Sequence, residues 1–323
     1  MYFNHNNNFY HGIMFHHFHD DKVHTKSQGS ISEDQFIELI NFIGRNNIID
    51  AEEFLDKMKK NKLLNNHVCF TFDDGIKSQI DIALPVLENF KIKCFFFVYS
   101  SMFMREPDKL EIYRYFRTNY FSSIDEFYEF FFDKIHEDLM RFFMNNKKLI
   151  ESWTVKFPHY SLGDIKFRIA RDNLLQKEEY DEIMMQMIKE KNFPVDKYQS
   201  ILFFSKEDLI KLDTLGHTIG LHSHTHPTNI KNFSYGNQEL EYKKCKKIIS
   251  NILTKPQSFI KSMSHPCGSY NKDTIDILKK LEIEIGFKQI MLIEKDKGMK
   301  KINNSIFEIA RQDHTDIIKR MSL

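Results

Sequence analysis

The sequence has few cysteines, and their spacing favours free thiols over a disulfide framework. Only four occur among 323 residues, at positions 69, 94, 245 and 267, and no two form a C-x-x-C pair. Scattered cysteines of this kind indicate free thiols in a reducing compartment. The first ten residues are polar and rich in asparagine, without the apolar segment of a secretory signal, so we expect a cytoplasmic protein.

The sequence also lacks a charge excess and a long apolar run. It has 46 basic and 45 acidic residues, a formal net charge of +1, which gives no reason to expect nucleic acid or an anionic membrane surface as a partner. No run of about 18 apolar residues occurs, so we expect no membrane span. We find no internal repeat and no low-complexity linker.

Hydrophobic residues make up 41% of the chain, and 31 of them are phenylalanine against a single tryptophan. This composition is typical of a soluble globular protein with a substantial core. The length allows either one large barrel or two domains. The pattern ending at Cys94–Tyr99 is strand, helix and strand. Cys94–Tyr99 is the second strand, and its all-apolar run indicates a parallel strand buried on both faces.

Two adjacent carboxylates follow a buried strand. Val68, Cys69 and Phe70 are apolar and lead into Thr-Phe-Asp-Asp-Gly at 71–75, after which a helical pattern begins. Asp73 and Asp74 therefore lie where ligands collect in α/β folds. Neighbouring carboxylates repel each other. This repulsion is relieved if one of them binds a cation and the other takes protons. The alternative is a turn, because Asp-Gly is a common turn dipeptide.

Three alternating histidines follow a second strand candidate. They occur in His-Ser-His-Thr-His-Pro at 222–227. His222 and His226 can converge on one point whether the segment is extended or forms a helical turn. Imidazole with carboxylate is a common ligand set for zinc or a similar divalent ion. A single histidine is usually structural, but three within five residues favour a metal site.

These motifs resemble the polysaccharide deacetylases, the NodB-homology group of carbohydrate esterases. Thr71–Gly75 and His222–Pro227 match its first two motifs, and Ser264–Asn271 resembles its Arg-x-Pro-Tyr-Gly loop in a degenerate form. The resemblance implies an α/β fold, a distorted (β/α)7-type barrel over residues 1–101 and 201–323. It leaves the middle of the chain unaccounted for.

The resemblance also implies roles for individual residues. Asp74, His222 and His226 would bind a divalent metal, zinc before cobalt, manganese or nickel. Asp73 would be the general base. In the third loop, the Cys267 N–H would bind the oxyanion next to Pro266.

The chain departs from the family pattern at two positions. The arginine of the third motif is replaced by Ser264, and we expect Arg311, at the end of a strand over residues 306–310, to partner Asp73 instead. The late motif that supplies the catalytic acid has no clean match, and His314 is our candidate. The alternatives are a surface salt bridge for Arg311 and an exposed position for His314.

An early strand from Phe9 leads into a cluster of histidines and acids at 16–21. His16, His17 and His19 are candidates to line the site or to add a ligand, and we nominate His17 and Asp20 as substrate contacts. The alternative is a surface cluster on a loop.

Residues 102–200 carry phenylalanine and methionine at helical spacing and few strand-like runs. We expect a helical insertion or small subdomain whose aromatic stripes form its core. Because it leaves the barrel from the carboxyl end of a strand, we expect it beside the site, where it would shape substrate choice.

The sequence thus predicts a metal-dependent deacetylase or deformylase. The substrate would be an N-acylated sugar, linked to a nucleotide or lipid, in surface polysaccharide or lipopolysaccharide synthesis. A hydrolase of a non-sugar amide and a non-catalytic sugar-binding relative are the alternatives. The oligomeric state is left open.

Overall fold

The computed structural model describes residues 9–20, 22–27, 29–104, 106–135, 137–156, 161–291, 294–296, 299–301, 303 and 305–321. The chain divides into two compact units. The barrel unit comprises Met1–Asp108 and Gln199–Leu323, and the helical unit comprises Lys109–Tyr198. The sequence predicted an insertion over residues 102–200.

Seven parallel strands form the sheet of the barrel unit. They are β1 (His11–Phe15), β2 (Val68–Phe72), β3 (Phe95–Val98), β4 (Thr218–Leu221), β5 (Ser262–Ser264), β6 (Ile285–Phe287) and β9 (Arg311–Asp313). Their order is β6-β5-β4-β3-β2-β1-β9. A parallel bridge between Phe287 and Ile309, just before β9, brings the two edges together. The predicted (β/α)7-type barrel is confirmed, and it is nearly closed.

Two further strands, β7 (Glu294–Asp296) and β8 (Met299–Lys301), form an antiparallel pair. The helices of the barrel unit are α1 (Glu33–Ile43), α2 (Ala51–Lys59), α3 (Leu84–Asn89), α11 (Lys206–Thr214), α12 (Tyr235–Leu253), α13 (Lys272–Lys280) and α14 (His314–Met321). Helix α1 begins with a capping box, because the Ser32 hydroxyl accepts from the Gln35 N–H and the Gln35 side chain accepts from the Ser32 N–H.

Alternation along the strands separates two apolar clusters. Phe96 and Val98 of β3 pack in the cluster that includes α1, α3, α11 and α12. Phe95 and Phe97 pack with Phe287 of β6 on the other face, inside the barrel. Both faces of the strand are therefore buried, as expected for parallel strands covered on each side.

The helical unit contains α4 (Lys109–Asn119), α5 (Ile124–Phe132), α6 (Glu137–Asn145), α7 (Lys147–Lys156), α8 (Leu162–Ile169) and α9 (Lys177–Glu190). Helix α10 (Val195–Leu202) crosses its boundary. The aromatic and methionine stripes are core, as predicted. Phe116, Phe127, Phe131, Met184 and Met187 are all buried.

Two strand predictions were too long or misplaced. Within the described part of the strand expected over 283–293, only Ile285–Phe287 forms a strand, because its ladder partner β5 ends at Ser264, opposite Phe287. Residues 292 and 293 lie outside the described residues. The segment expected as a strand over 306–310 begins with a turn, in which the Glu308 N–H donates to the Ser305 carbonyl. Arg311 therefore begins β9 rather than following a strand. No helix among the described residues is long and apolar enough to cross a membrane.

Candidate metal centre and active site

The carboxyl ends of β1 and β2 bring the first motif beside His16. Phe15 and Phe72 are register partners, and the Asp73 N–H donates to the Phe15 carbonyl at 3.1 Å. The Gln79 side-chain amide donates to the carbonyls of both His16 (2.8 Å) and Asp73 (2.7 Å). This bridge holds the two strand ends together.

The two outer histidines of the second motif point the same nitrogen inward. His222 Nδ1 donates to the Ser264 carbonyl at 2.9 Å, and His226 Nδ1 donates to Asp108 Oδ2 at 2.7 Å. Each Nδ1 therefore carries a proton, and in the neutral imidazole it is Nε2 that presents a lone pair. These Nε2 atoms lie 3.2 Å and 3.3 Å from Asp74 Oδ1. Such backbone and carboxylate partners are typical of metal-ligating histidines.

This donor set fits a divalent metal. The ligand atoms of Asp74, His222 and His226 all lie within 4.8 Å of one another, the one such group found among the described residues. Two ligands bound at 2.0–2.1 Å to one tetrahedral ion lie about 3.3 Å apart, which matches the two distances above. Asp74 Oδ1 is buried and has no hydrogen-bond partner in the described part of the chain.

The backbone at the site is strained. Asp74 (φ 73°), Ser223 (φ 64°), His226 (φ 54°) and Cys267 (φ 50°) all have left-handed conformations without being glycine. Such residues persist only where the surrounding structure fixes them, and they cluster at functional sites.

Asp73 is held by the arginine that the sequence nominated. Arg311 Nη1 and Nη2 each lie 2.7 Å from Asp73 Oδ1 and Oδ2, respectively, and the arginine is 1% exposed. The Ser264 hydroxyl donates to Asp73 Oδ2 at 3.1 Å. Thus Ser264, at the position of the family's arginine, still contacts the aspartate, while the guanidinium comes from β9.

Burial and neighbouring charge act in opposite directions on both carboxyls. Burial is the largest single influence on Asp73 and raises its pKa, but the Arg311 guanidinium together with His222 and His16 lowers it by more, so the pKa lies below its ordinary value. For Asp74, burial again raises the pKa, but His226 and the other imidazoles hold it well below the usual range. Both groups are carboxylates at neutral pH, the form that a metal ligand and a general base need.

His16 is the early histidine that reaches the cluster. Its Nε2 lies 3.9 Å from Asp73 Oδ2 and 3.8 Å from Asp74 Oδ2, and its side chain is 23% exposed. His17, which we nominated instead, stacks against the His16 ring at a centroid distance of 6.1 Å. Side chains alternate between the two faces of an extended segment, so the residue at which β1 ends decides whether His16 or His17 faces inward. The sequence alone did not define that residue.

Two nominations require correction. Asp20 Oδ1 accepts the backbone N–H groups of Lys22, Val23 and His24, so it caps a turn. His314 is buried, with Nδ1 3.0 Å from the Met14 carbonyl and Nε2 2.9 Å from the Gly29 carbonyl. Both of its ring nitrogens are engaged by backbone, so His314 is not presented to a leaving group.

The third loop lies over the same edge. Pro266–Gly268 forms a short 3-10 turn after β5, with Pro266 buried. Cys267 is exposed, and its Sγ lies 4.0 Å from His226 Nε2. The oxyanion role of its N–H stays a prediction.

Sequence reasoning missed Asp108 and Glu241. Asp108 precedes His226 by 118 residues and belongs to no motif. Glu241 of α12 accepts the N–H groups of His224 and Thr225, and so fixes the loop between the two candidate ligands. The middle histidine faces away, since His224 Nδ1 contacts the Ser100 hydroxyl at 2.8 Å.

Comparison with known proteins agrees with the fold and the motifs. A family model described as polysaccharide deacetylase matches residues 142–286, a range that contains His222, His226 and the third loop. The chain has the fold of the polysaccharide deacetylases. The resemblance inferred from the three motifs is therefore confirmed. No curated protein matches the chain.

Solved deacetylase structures resemble the whole chain at low identity. A Streptococcus pyogenes deacetylase, PplD, in complex with acetate shares 13% identity with a TM-score of 0.55, covering 96% of each chain. IcaB from Ammonifex degensii shares 12% identity with a TM-score of 0.53, over 97% of this chain and 96% of its own. The BpsB deacetylase domain from Bordetella bronchiseptica shares 14% with a TM-score of 0.51, over 94% of each.

Proposed function

We propose that the protein is a metal-dependent hydrolase that removes an N-acyl group, acetyl or formyl, from a sugar. The observation that carries this proposal is the convergence of His222 Nε2 and His226 Nε2 on Asp74 Oδ1, which accepts no hydrogen bond from the residues that the structure describes. An ionised carboxylate, Asp73, lies directly beside it. A donor set of this kind with an adjacent base is suited to hydrolysis of an amide.

Asp74, His222 and His226 would hold the metal, zinc first among the candidates. When bound, a divalent ion at this point polarises an acyl carbonyl and makes a bound water more acidic. The Ser264 carbonyl and the Asp108 carboxylate keep the two imidazoles in the tautomer that ligation requires.

Asp73 would accept the proton of the attacking water. Its ion pair with Arg311 and its hydrogen bond from Ser264 keep it ionised and fix its orientation. A base within reach of the water, held in the correct protonation state, contributes typically 10²–10⁴-fold to rate. The Cys267 N–H would stabilise the developing negative charge on the acyl oxygen.

His16 would donate the proton that the departing amine needs. It replaces His314 in this role, because His314 has both ring nitrogens against backbone carbonyls. His16 Nε2 lies within 4 Å of a carboxylate oxygen of Asp73 and of Asp74, and the ring is partly open to solvent. It can therefore meet a substrate that enters the site from outside.

The carrier of the sugar is part of the proposal. Expected cytoplasmic placement favours a precursor linked to a nucleotide or lipid, within surface polysaccharide or lipopolysaccharide synthesis. The description of the matching family model, polysaccharide deacetylase, favours a sugar polymer. That the insertion shapes substrate choice stays a prediction.

The test combines metal analysis with a substrate panel. Protein purified without a tag should contain one divalent ion per chain by elemental analysis, and His222→Ala should lose it. Acetate or formate release is then measured on N-acylated nucleotide sugars, lipid-linked sugars and oligosaccharides. Asp73→Asn should abolish release while it keeps the metal. Asp56→Asn, which alters an exposed carboxylate paired with Lys60, is the matched control and should retain full activity.

Each other outcome has a definite meaning. Full metal content in His222→Ala overturns the ligand assignment, and activity near wild type in Asp73→Asn identifies another base. If acid is released only from non-sugar amides, the protein is a hydrolase of a different class of amide on the same fold. Metal binding or sugar binding without any turnover would indicate a non-catalytic relative.

A further inference from the structure

Two segments of the barrel unit connect it to the helical unit. The entry segment, residues 99–108, follows β3, and the exit segment, residues 199–204, leads back from the insertion. Because these two segments carry the insertion, their contacts in the barrel unit decide how it is anchored. Each of them contacts a loop that supplies a candidate metal ligand. We call these the histidine loop, residues 222–226, and the aspartate loop, residues 73–76.

The entry segment is bonded to the histidine loop at two places. The Ser101 N–H donates to the His224 carbonyl at 2.9 Å, and Ser100 Oγ contacts the His224 ring at 2.8 Å. At the end of the segment, Asp108 Oδ2 accepts the Nδ1 proton of His226 at 2.7 Å. The segment therefore holds both the middle histidine of the loop and one of its candidate ligands.

Tyr99 joins Asp108 and His226 in one closed arrangement. Its ring lies against the His226 ring at a centroid distance of 5.4 Å, and its hydroxyl accepts the Asp108 N–H at 3.2 Å. Because Asp108 also accepts from His226, each of the three residues contacts the other two. Tyr99 is 1% exposed, so it has little freedom to move. A displacement of Asp108 would therefore displace the ring of a candidate ligand.

The exit segment is bonded to the aspartate loop. The Phe204 N–H donates to the Gly75 carbonyl at 2.8 Å, and Phe203 forms an antiparallel bridge with Ile76. Gly75 directly follows the candidate aspartate ligand in the sequence. Phe203 also packs edge-on against Tyr99, with ring centroids 6.2 Å apart. The two connecting segments thus meet each other and both ligand loops.

We propose that metal binding and the anchoring of the helical unit are thermodynamically linked through these two segments, with Tyr99 and Asp108 as positioning residues for His226. This linkage rests on the proposed metal site. A metal that fixes Asp74 and His226 also fixes the loops to which both segments are bonded, so it should stabilise the anchored insertion. Coupling of this kind acts in both directions, so loosening either segment should weaken metal binding.

Hydrogen exchange in the presence and absence of Zn²⁺ tests this linkage without relying on activity. The backbone N–H groups of Ser101, Asp108 and Phe204 all donate hydrogen bonds from the connecting segments. We expect Zn²⁺ to slow their exchange by about 5–150-fold, the usual size of coupling between two sites, and to slow exchange in helix α4. Helix α2, which belongs to neither segment, is the control for a general stabilisation and should change less.

Variants of Tyr99 test the reverse direction. Tyr99→Phe removes the acceptor of the Asp108 N–H but keeps the ring, and Tyr99→Leu removes both. The affinity for Zn²⁺, measured by chelator competition, should fall from wild type to Tyr99→Phe to Tyr99→Leu. The visible spectrum of bound Co²⁺ should change in Tyr99→Leu, because the His226 ring loses its support. Tyr113→Phe is the matched control, since it removes a buried hydroxyl that donates to Asp181 inside the helical unit, and its affinity and spectrum should equal those of wild type.

Failure of the linkage and failure of the proposed function give different results. If wild type binds Zn²⁺ but exchange at the three N–H groups is unchanged, the linkage is overturned and the metal site stands. Equal Zn²⁺ affinity and an unchanged Co²⁺ spectrum in Tyr99→Leu would also overturn it. If wild type binds no metal, both the linkage and the proposed metal-dependent function are overturned.

Discussion

Replacement of Arg311 by methionine tests how Asp73 is kept ionised. The guanidinium makes two 2.7 Å contacts with the carboxylate, and both residues are almost fully buried. Methionine keeps an apolar side chain of similar length but leaves a buried charge without its partner. Breaking a buried ion pair in this way costs about 3–5 kcal/mol of unfolding free energy.

The same change should move the pH dependence of activity in a defined direction. Arg311 lowers the pKa of Asp73 against the effect of burial, which raises it. Without Arg311 the burial effect remains, so the pKa rises. The acidic limb of the rate profile should shift upward by about 1–3 pH units, the usual effect of one close opposite charge. Metal content should not change, because the contacts of the guanidinium go to Asp73, Thr71 and the Lys288 carbonyl.

The assays are urea unfolding and the pH–rate profile, with three companion variants. Arg171→Met is the matched control, because Arg171 makes a two-contact pair with the exposed Asp172, and loss of an exposed pair costs about 0–1 kcal/mol. Arg311→Lys should recover only part of the effect, since lysine lacks the planar fork. Asp73→Asn combined with Arg311→Met should be more stable than Arg311→Met alone. An unchanged acidic limb in Arg311→Met would refute the role of this pair in catalysis.

Three other predictions follow from single contacts. Asp108→Asn should weaken metal affinity about 10–100-fold, because the carboxylate orients His226; equal affinity in a chelator competition would contradict this. Gly12→Ala should lower the unfolding free energy, since an added Cβ would lie 3.0 Å from Arg311 Cγ, and unchanged urea unfolding would show that Arg311 can move aside. Burial lowers the pKa of His217 from 6.5 to about 3, so the stability present above pH 6.5 is lost as the pH falls. At pH 5 the loss is about 2 kcal/mol, and His217→Asn should lose less than wild type between pH 7.5 and pH 5; an equal loss would argue against it.

The candidate ligands could be predicted because their signals are local. Asp74 follows one strand, and His222 and His226 follow another. The carboxyl ends of parallel strands meet at one edge of the sheet, so residues there come together without knowledge of the loops. Arg311 could be proposed for a similar reason, although its strand begins with the arginine rather than ending before it.

The remaining site residues depend on features that the sequence does not carry. Asp108 is far from His226 in the chain and is brought to it only by the tertiary fold. The inward direction of His16 rather than His17 depends on a shift of one residue at the end of β1. His314 opens helix α14, and its ring stacks on Phe15 at a centroid distance of 5.3 Å. The sequence thus has a histidine near its C-terminal end, but that side chain is packed in the interior, away from the edge where the chemistry would occur.

Four of the nine non-glycine residues with positive φ in the described part of the chain lie at this edge, and they argue that it was shaped for binding rather than for stability. Asp74, Ser223, His226 and Cys267 each have positive φ, at a cost of about 1–3 kcal/mol per residue. None of these conformations is needed to close the barrel, whose strands end before them. Specific hydrogen bonds stabilise these strained conformations. The His226 N–H donates to Ser223 Oγ, and the Glu241 carboxylate accepts two backbone N–H groups of the same loop. A loop that only reverses the chain direction has no need of these strained conformations. A loop that must direct two imidazoles at one carboxylate oxygen does need them.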